Sequence, residues 1–484
     1  MRADVICRIK NDPVIKAIFD AVSSADVKAY LVGGALRNLV LSRPLGFDYD
    51  VVLDNKVMDM ANLLGRRLQG SPFLLDKAHG SYRISIKQDG GIFNIDLSSY
   101  NGKDILEDLN NRDFTINAMA VDINTIFRNT DVDLIDIFSG QADAENKTIR
   151  EVKPGIFADD PLRLLRAVRL AAQYGLIIDK TTERNIKTKA ALLTTSSWER
   201  IRDEFFFILE CPQSVNYLKW LYELSLLHEI IPEIRGWNDM VGGYNLAYHA
   251  FKTLEEGEWL FNNLKAFVPE FAGNIDSSFR MLIGNVSKKG LFKLALFIHD
   301  AGKPETIKQE GEIIRFIGHD VEGEAIGKRI GRRLKLSRNA TAFISKLVRN
   351  HHRVFNLASL ERLTDRSKAH MFRVMGNKAA GDSDGTFLLL LSLADARATR
   401  GGDDPELSSF IKGLIDFYYK IYLVKRPRPI LNGNEIMDIF NVPEGAAVGG
   451  LLRKLSEAEG SGLIKNKKDA VKFIKVLMEA SKDG

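Results

Sequence analysis

Strand-like alternation is confined to the first third of this 484-residue chain, and that one-sided distribution excludes most architectures before any motif is read. "KAYLVGGAL" and "FDYDVVL" follow a two-residue period, "MDMANLLGRRLQG" reads as a helix, and "SYRISIKQDGGIFNIDLSSY" reads as a hairpin turning at Asp89-Gly90-Gly91. From about Asp159 onward the apolar residues recur at helical spacing, broken by Gly and Pro at "CPQ", "IPEIRGW", "TRGGDDPE" and "KRPRP". The expected class is α+β, a small mixed-sheet head followed by helices. At about 150 residues per domain the chain is too long for one core. Breaks are expected near residues 145, 240 and 405, giving segments 1–145, 146–240, 241–405 and 406–484.

A composition of 45% hydrophobic and 27% charged residues excludes a fibrous or largely disordered chain. The densest apolar run, "TFLLLLSLADA", is broken by Asp395 before it reaches the length of a membrane span, and the N-terminus lacks a signal-peptide core. A cytoplasmic protein, away from membranes and with no obligate protein partner evident, is expected. The two cysteines, Cys7 and Cys211, have no CxxC spacing, so neither a disulfide framework nor a zinc knuckle is expected. A net charge of +5 is compatible with a polyanionic partner without selecting one, and stretches such as "KNKKDAVKFIKVL" read as solvated helix faces.

"LGFDYDVVL" sets Asp48 and Asp50 into a strand, where alternate residues point the same way. Two neighbouring carboxylates repel unless a cation lies between them, and Mg²⁺ prefers one or two carboxylates plus substrate phosphates. An edge strand with a polar face is the plainer alternative. Upstream, "YLVGGALRN" reads as a strand ending at Gly33-Gly34 and a helix with Arg37 in its first turn. That is either a phosphate site or a tight strand-to-helix turn. No GxxxxGK[ST] is present, which disfavours an ordinary P-loop ATPase. Asp96, in "FNIDLSS", would sit on a strand beside the first in a small antiparallel or mixed sheet, either as a third carboxylate for two metals or as a cap at the strand end.

With "EDLNNRDFTINAMAVD", "DIFSGQADAENKTIR", "ADDPLRLLRAVRLAAQYGL" and "WERIRDEF", the first 210 or so residues resemble, in motif order, the class II tRNA nucleotidyltransferase and bacterial poly(A) polymerase family of the polymerase β superfamily. The resemblance implies NMP transfer from CTP or ATP to an RNA 3′-hydroxyl, with Mg²⁺ on catalytic Asp48 and Asp50 and Asp96 as a third catalytic acid. Gly33, Gly34 and Arg37 would meet the triphosphate. Arg112, Asp113 and Asn117 would contact ribose and phosphates, and the family's EDxxR motif falls on Asp159, Asp160 and Arg163, with Asp160 and Arg163 reading the base and Arg166 and Arg169 following as further nucleotide-binding residues. Asn38, Asn111 and Asp159 depart from the family pattern, as does a spacer one residue longer between Arg37 and Asp48.

Three apart on a helix, Asp160 and Arg163 would meet on one face. A carboxylate accepts the amino group of cytosine or adenine while a guanidinium donates to the adjacent ring nitrogen; guanine and uracil reverse that order. The alternative makes Pro161 the first helical residue, Asp160 an N-cap and Arg163 a surface residue.

Only "LSSYNGKDILEDLNNR" separates Asp96 from Asp113, where family members that build the whole CCA end carry a longer segment. The short segment resembles the CC-adding or C-adding branch, with a poly(A) polymerase as the alternative.

In the second half, His249, His299-Asp300 in "LFIHDAGKP", His319, His351-His352 and Asp395 resemble the HD phosphohydrolase domain over roughly residues 240–400. That resemblance implies a second divalent-metal site on His249, His299, Asp300, His319, His351 and Asp395, and raises the alternative of a phosphohydrolase with a nucleotide-sensing head. The tail after "KRPRP" would grip the tRNA 3′ region by shape and phosphate contacts, or would simply be solvated.

Overall fold

The computed structural model describes residues 3–76, 80–88, 91–128, 132–239, 245–310, 313–375, 384–425, 430–443, 445–460, 463–464 and 466–480. The order of elements is a mixed α/β head followed by a mostly helical remainder. The chain divides into two units, residues 1–208 with 220–229 and residues 209–219 with 230–484. The division between the units falls inside the expected segment 146–240, and the expected break near 240 lies outside the described residues, as do Asp89 and Gly90 of the hairpin turn and residues 426–429 of "KRPRP".

The first unit is built on a six-stranded sheet of β1 (Ala29–Val32), β2 (Asp48–Leu53), β3 (Ser71–Asp76), β4 (Ser81–Gln88), β5 (Gly91–Ser99) and β6 (Ala120–Asp122). Their spatial order is β3-β4-β5-β2-β1-β6. β2 and β5 run parallel and the other neighbours antiparallel, so the sheet is mixed. Leu31, Val51, Leu53, Ile84, Ile95 and Leu97 are fully or almost fully buried and form much of its core. Against the sheet lie α1 (Gly33–Val40) and α2 (Val57–Leu68); α2 buries Met60, Ala61 and Leu64, the three-to-four spacing of an amphipathic helix. Beyond the sheet come the short α3 (Ile105–Asn110) and α4 (Arg163–Tyr174).

The second unit is helical. α5 (Leu246–Phe267), α6 (Lys288–Ile298), α7 (His319–Arg333), α8 (Arg338–Asn350), the short α9 (Arg353–Ala358), α10 (Asp365–Val374) and α11 (Asp384–Arg400) pack on one another. α12 (Ala446–Gly460) packs against α10. The starts of α5, α6 and α8 are capped by side chains of Asn245, Ser287 and Ser337, each accepting a backbone N–H of the first turn. Such caps fix where each helix begins, and hence which residues stand at its ends. Among the described residues no helix is long and apolar enough to cross a membrane.

Candidate functional site

The acids of β2 sit in two polar rows that cross the sheet. Register places Asp50 opposite Asp96 on β5, and Asp96 opposite Arg83 on β4. Asp48 stands opposite Asn94, which in turn faces Ser85. Both rows are bonded: Arg83 forks onto Asp96 at 2.7 and 2.6 Å, while Ser85 donates to Asn94 at 2.8 Å and Asn94 to Asp48 at 2.9 Å. Tyr49 and Val51 point to the opposite, buried side. Asp50 and Asp96 would repel as directly opposed like charges, and Arg83 is the internal counter-charge that offsets this.

Asp50 also reaches the turn between β1 and α1. Its Oδ2 accepts the Gly34 amide at 3.0 Å, so a side chain from the neighbouring strand caps the helix. Gly33 makes this approach feasible: its φ is +62°, and a Cβ there would stand 2.5 Å from Asp50 Oδ2. Because the helix starts at Gly33 itself, Arg37 lies beyond the first turn that the sequence assigned it. Its side chain is buried, donating to Asn117 at 2.7 Å and bonding the Tyr174 hydroxyl. Arg37 therefore fixes Asn117 from behind. Asn117 donates to Asp113 at 2.9 Å, and Asp113 pairs with Arg166 at 2.6 Å. Burial pushes the Asp113 carboxyl up, but Arg166, Asn117 and the Phe114 amide outweigh it and hold the group below the usual carboxylate range.

Gly33, Gly34, Asp50, Asp96, Arg112, Asp113, Asn117, Asp160, Arg163 and Arg166 line one cleft of about 740 Å³. Asp48 is exposed and stands outside this lining, as do Arg37 and Arg169. Arg169 is turned to Glu204 at 2.5 Å and Gln173 at 2.9 Å. The helical pairing expected for Asp160 and Arg163 takes a different form. Asp160 has extended backbone (φ −143°, ψ 100°) and α4 begins only at Arg163, because the residue before a proline is driven out of the helical region. Asp160 Oδ1 accepts the Leu162 amide at 3.3 Å, the capping role that Pro161 suggested, yet both side chains still line the cleft. Sequence reasoning missed Arg83, Tyr174, Asp108, which pairs with Arg112 at 2.9 Å, and Arg200, which pairs with Asp160 at 3.0 Å. Arg200 lay in the quoted "WERIRDEF" but carried no distinguishing pattern.

The second unit gathers the histidines. His249 Nε2 lies 3.2 Å from Asp395 and 3.5 Å from Asp300, and His299 Nε2 lies 3.3 Å from Asp300 and 3.6 Å from Asp395. The other Asp300 oxygen faces His351 at 3.5 Å and His319 at 3.6 Å, and His352 Nε2 lies 3.0 Å from His319 Nε2. Two groups able to hold a metal result: His249, His299 and Asp395, and Asp300, His319, His351 and His352. His352, absent from the expected ligand set, joins the second. The Nδ1 atoms of His299, His319 and His351 face the carbonyls of Leu296, Phe316 and Val348 at 2.9, 2.6 and 2.6 Å, the outer contact that leaves Nε2 free to bind an ion. Burial alone would lower the His299 imidazole; Asp300 and Asp395 outweigh it and push it up to about 10. The two carboxylates thus call for a positive charge, as a proton or as a divalent ion.

Comparison with known proteins places these features in context. Residues 29–150 match the poly A polymerase head domain, and residues 175–237 a probable RNA- and SrmB-binding site of polymerase A. The A-adding tRNA nucleotidyltransferase of Deinococcus radiodurans is 28% identical over 92% of this chain and 94% of its own. The CC-adding enzyme of Geobacter sulfurreducens is 29% identical over 92% and 91%. A solved CCA-adding enzyme in complex with CTP shares the fold, with a TM-score of 0.63 at 20% identity over 98% of both chains.

Proposed function

From a family-level match to the CCA- and A-adding tRNA nucleotidyltransferases, we propose that this chain adds two CMP residues in succession to the 3′ end of tRNA without a nucleic-acid template. The chain is an RNA nucleotidyltransferase. The observation that carries the reading is a single cleft lined by Asp50, Asp96, Asp113, Asp160, Arg163 and Arg166.

The RNA 3′-hydroxyl oxygen forms a bond to the α-phosphorus as the bond from that phosphorus to the bridging oxygen breaks in line; pyrophosphate leaves and the hydroxyl proton passes to solvent. Asp48 and Asp50 present only oxygen donors from one strand face, which suits Mg²⁺. When bound, that ion supplies neutralisation of the triphosphate charge. Asp96, already bonded by Arg83, would join the ligands through its remaining oxygen lone pairs. Arg112 and Arg166 supply donors to triphosphate oxygens, while Asp113 and Asn117, held by Arg37, fix the ribose end. Asp160 accepts the base amino group and Arg163 donates to the ring nitrogen beside it, a pattern cytosine and adenine satisfy.

Support for CC rather than CCA addition comes from the connection between Asp96 and Asp113, which is only the end of β5, a short turn and α3, and from the Geobacter relative. The Deinococcus relative favours A addition as the second reading. Supplying tRNAs that end in the discriminator base, C, CC or CCA with single labelled nucleotides separates these outcomes. CMP on the first two substrates and nothing on CC or CCA is expected; AMP on CC ends would replace this reading with the second.

In the second unit the histidines and aspartates support an HD-type dinuclear centre. His249, His299 and Asp395 would hold one ion and Asp300, His319, His351 and His352 another. The mixed imidazole and carboxylate set fits a transition metal, and ligand atoms 3.2–3.6 Å apart suit ions about 2.0–2.2 Å from each. Such ions, when bound, activate water toward phosphate esters. The four-part division into head, neck, HD segment and RNA-gripping tail belongs to this same reading.

A further inference from the structure

Asn111, one of the positions that depart from the family pattern, caps the end of α3 and lines the cleft. Its side chain reaches two ways. The amide nitrogen donates to the Asn101 carbonyl at 2.7 Å, and the amide oxygen accepts from Lys153 at 3.0 Å. Its backbone carbonyl accepts the Arg163 guanidinium at 2.8 Å. One residue thus joins the turn after β5, the segment before α4 and the guanidinium that faces the base. The turn is pinned to α3 elsewhere as well: the Asn101 amide donates to Asp108 at 2.9 Å and the Lys103 amide to Glu107 at 2.8 Å. Gly102, at φ +142°, lets the chain lie close against Glu107, where a Cβ would stand 2.5 Å from Cγ.

The two base-reading side chains are held differently. Asp160 has Arg200 as a charged partner at 3.0 Å, whereas among the described residues the Arg163 side chain is held by carbonyls alone, that of Asn111 and, at 3.4 Å, that of Ile156. Its remaining donors are left for a base. Cytosine offers the guanidinium a ring-nitrogen acceptor where uracil offers an N–H, so uracil is rejected only if the guanidinium cannot turn away from the clash. A neutral amide suits the brace, since it donates to a carbonyl and accepts from an ammonium at once; arginine has no acceptor and ionised aspartate no donor. We propose that Asn111 is a positioning residue for base selection: its side-chain bonds to Asn101 and Lys153 fix the carbonyl that holds Arg163, and so set how strictly CTP is taken over UTP. The inference rests on the CMP-adding reading of the cleft and deepens it.

The test compares CMP and UMP transfer by the full chain to a tRNA ending at its discriminator base in Mg²⁺, with folding of each variant checked by thermal unfolding. Asn111→Ala is expected to lower the ratio of kcat/KM for CTP over that for UTP at least tenfold, because a small misplacement of a recognition group is costly. Asn111→Gln, which keeps donor and acceptor, should recover part of the ratio. Lys153→Ala, which leaves α3 untouched, should shift it the same way by a smaller factor and decides the matter if Asn111→Ala does not fold. Adding Asn111→Ala to Arg163→Ala should lower the ratio no further, since the first residue acts through the second. A ratio within twofold of wild type in both folded Asn111→Ala and Lys153→Ala, or losses that multiply in the double variant, overturns the proposal and leaves CMP addition standing. A wild type that transfers no CMP removes the reading beneath it and the proposal together.

Discussion

At the scale of single residues, the head depends on how close a carboxylate can come to a backbone turn. Gly33→Ala adds a Cβ 2.5 Å from Asp50 Oδ2 at a φ of +62°, so either the turn or the acid must move. A loss of about 1–2 kcal/mol of stability is expected from the backbone alone, together with at least a hundredfold loss of CMP transfer, read by thermal unfolding and by single-turnover assay. Asp113 makes a pH-dependent contribution. Its folded pKa lies below the ordinary value of about 3.9, so the stability it adds is fully present above that value and is lost as pH falls through the lower folded pKa. Asp113→Asn should therefore destabilise by about 1–2 kcal/mol at pH 7, because Asp113 is buried while Arg166 is partly exposed and can turn to solvent. Denaturant titrations of both proteins should show the gap closing below about pH 4; a gap that stays constant contradicts the assignment. Asp48 and Asp50 were legible in the sequence because alternation is a local property. Arg83 was not, since nothing in "SYRISIKQ" states which residue of the next strand it will face.

At the scale of elements, register and helix starts decide what the motifs become. Asp160 and Arg163 were readable as a pair by spacing, but the proline between them moves Asp160 off the helix, and only the fold shows that both still reach one cleft. Arg37 stood out as a phosphate ligand from its place after two glycines. Because α1 begins at Gly33 instead, its side chain turns inward to Asn117 and Tyr174. The Asp50–Asp96–Arg83 row gives an element-level test. Arg83→Ala leaves two opposed carboxylates without their counter-charge, at a cost of about 0.2–1 kcal/mol given their partial exposure. The variant should melt earlier than wild type without divalent ions and gain more from added Mg²⁺. Equal Mg²⁺-induced shifts in Tm would show that Asp50 and Asp96 do not share a cation.

At the scale of the whole molecule, the change from strand period to helical period, complete by about Asp159, was the feature that foretold a mixed head followed by helices. The gathering of six of the seven expected or added metal-binding side chains could be suspected from "HDAGKP" and its distant histidines, but His352 could not be told from His351 by sequence, since neighbours on a chain differ only in where the helix end aims them. Each unit carries its own candidate site, so the two are expected to fail separately. Asp300→Ala should strip metal from the second unit and leave CMP transfer within about twofold of wild type, as measured by mass spectrometry and labelled CTP. The most direct measurement of the central claim is transfer of labelled CMP to a tRNA ending at its discriminator base, by wild type and by Asp50→Ala in Mg²⁺. Wild type should add two residues from CTP and none from UTP or GTP, and the variant should add none; full CMP transfer by Asp50→Ala would contradict the account.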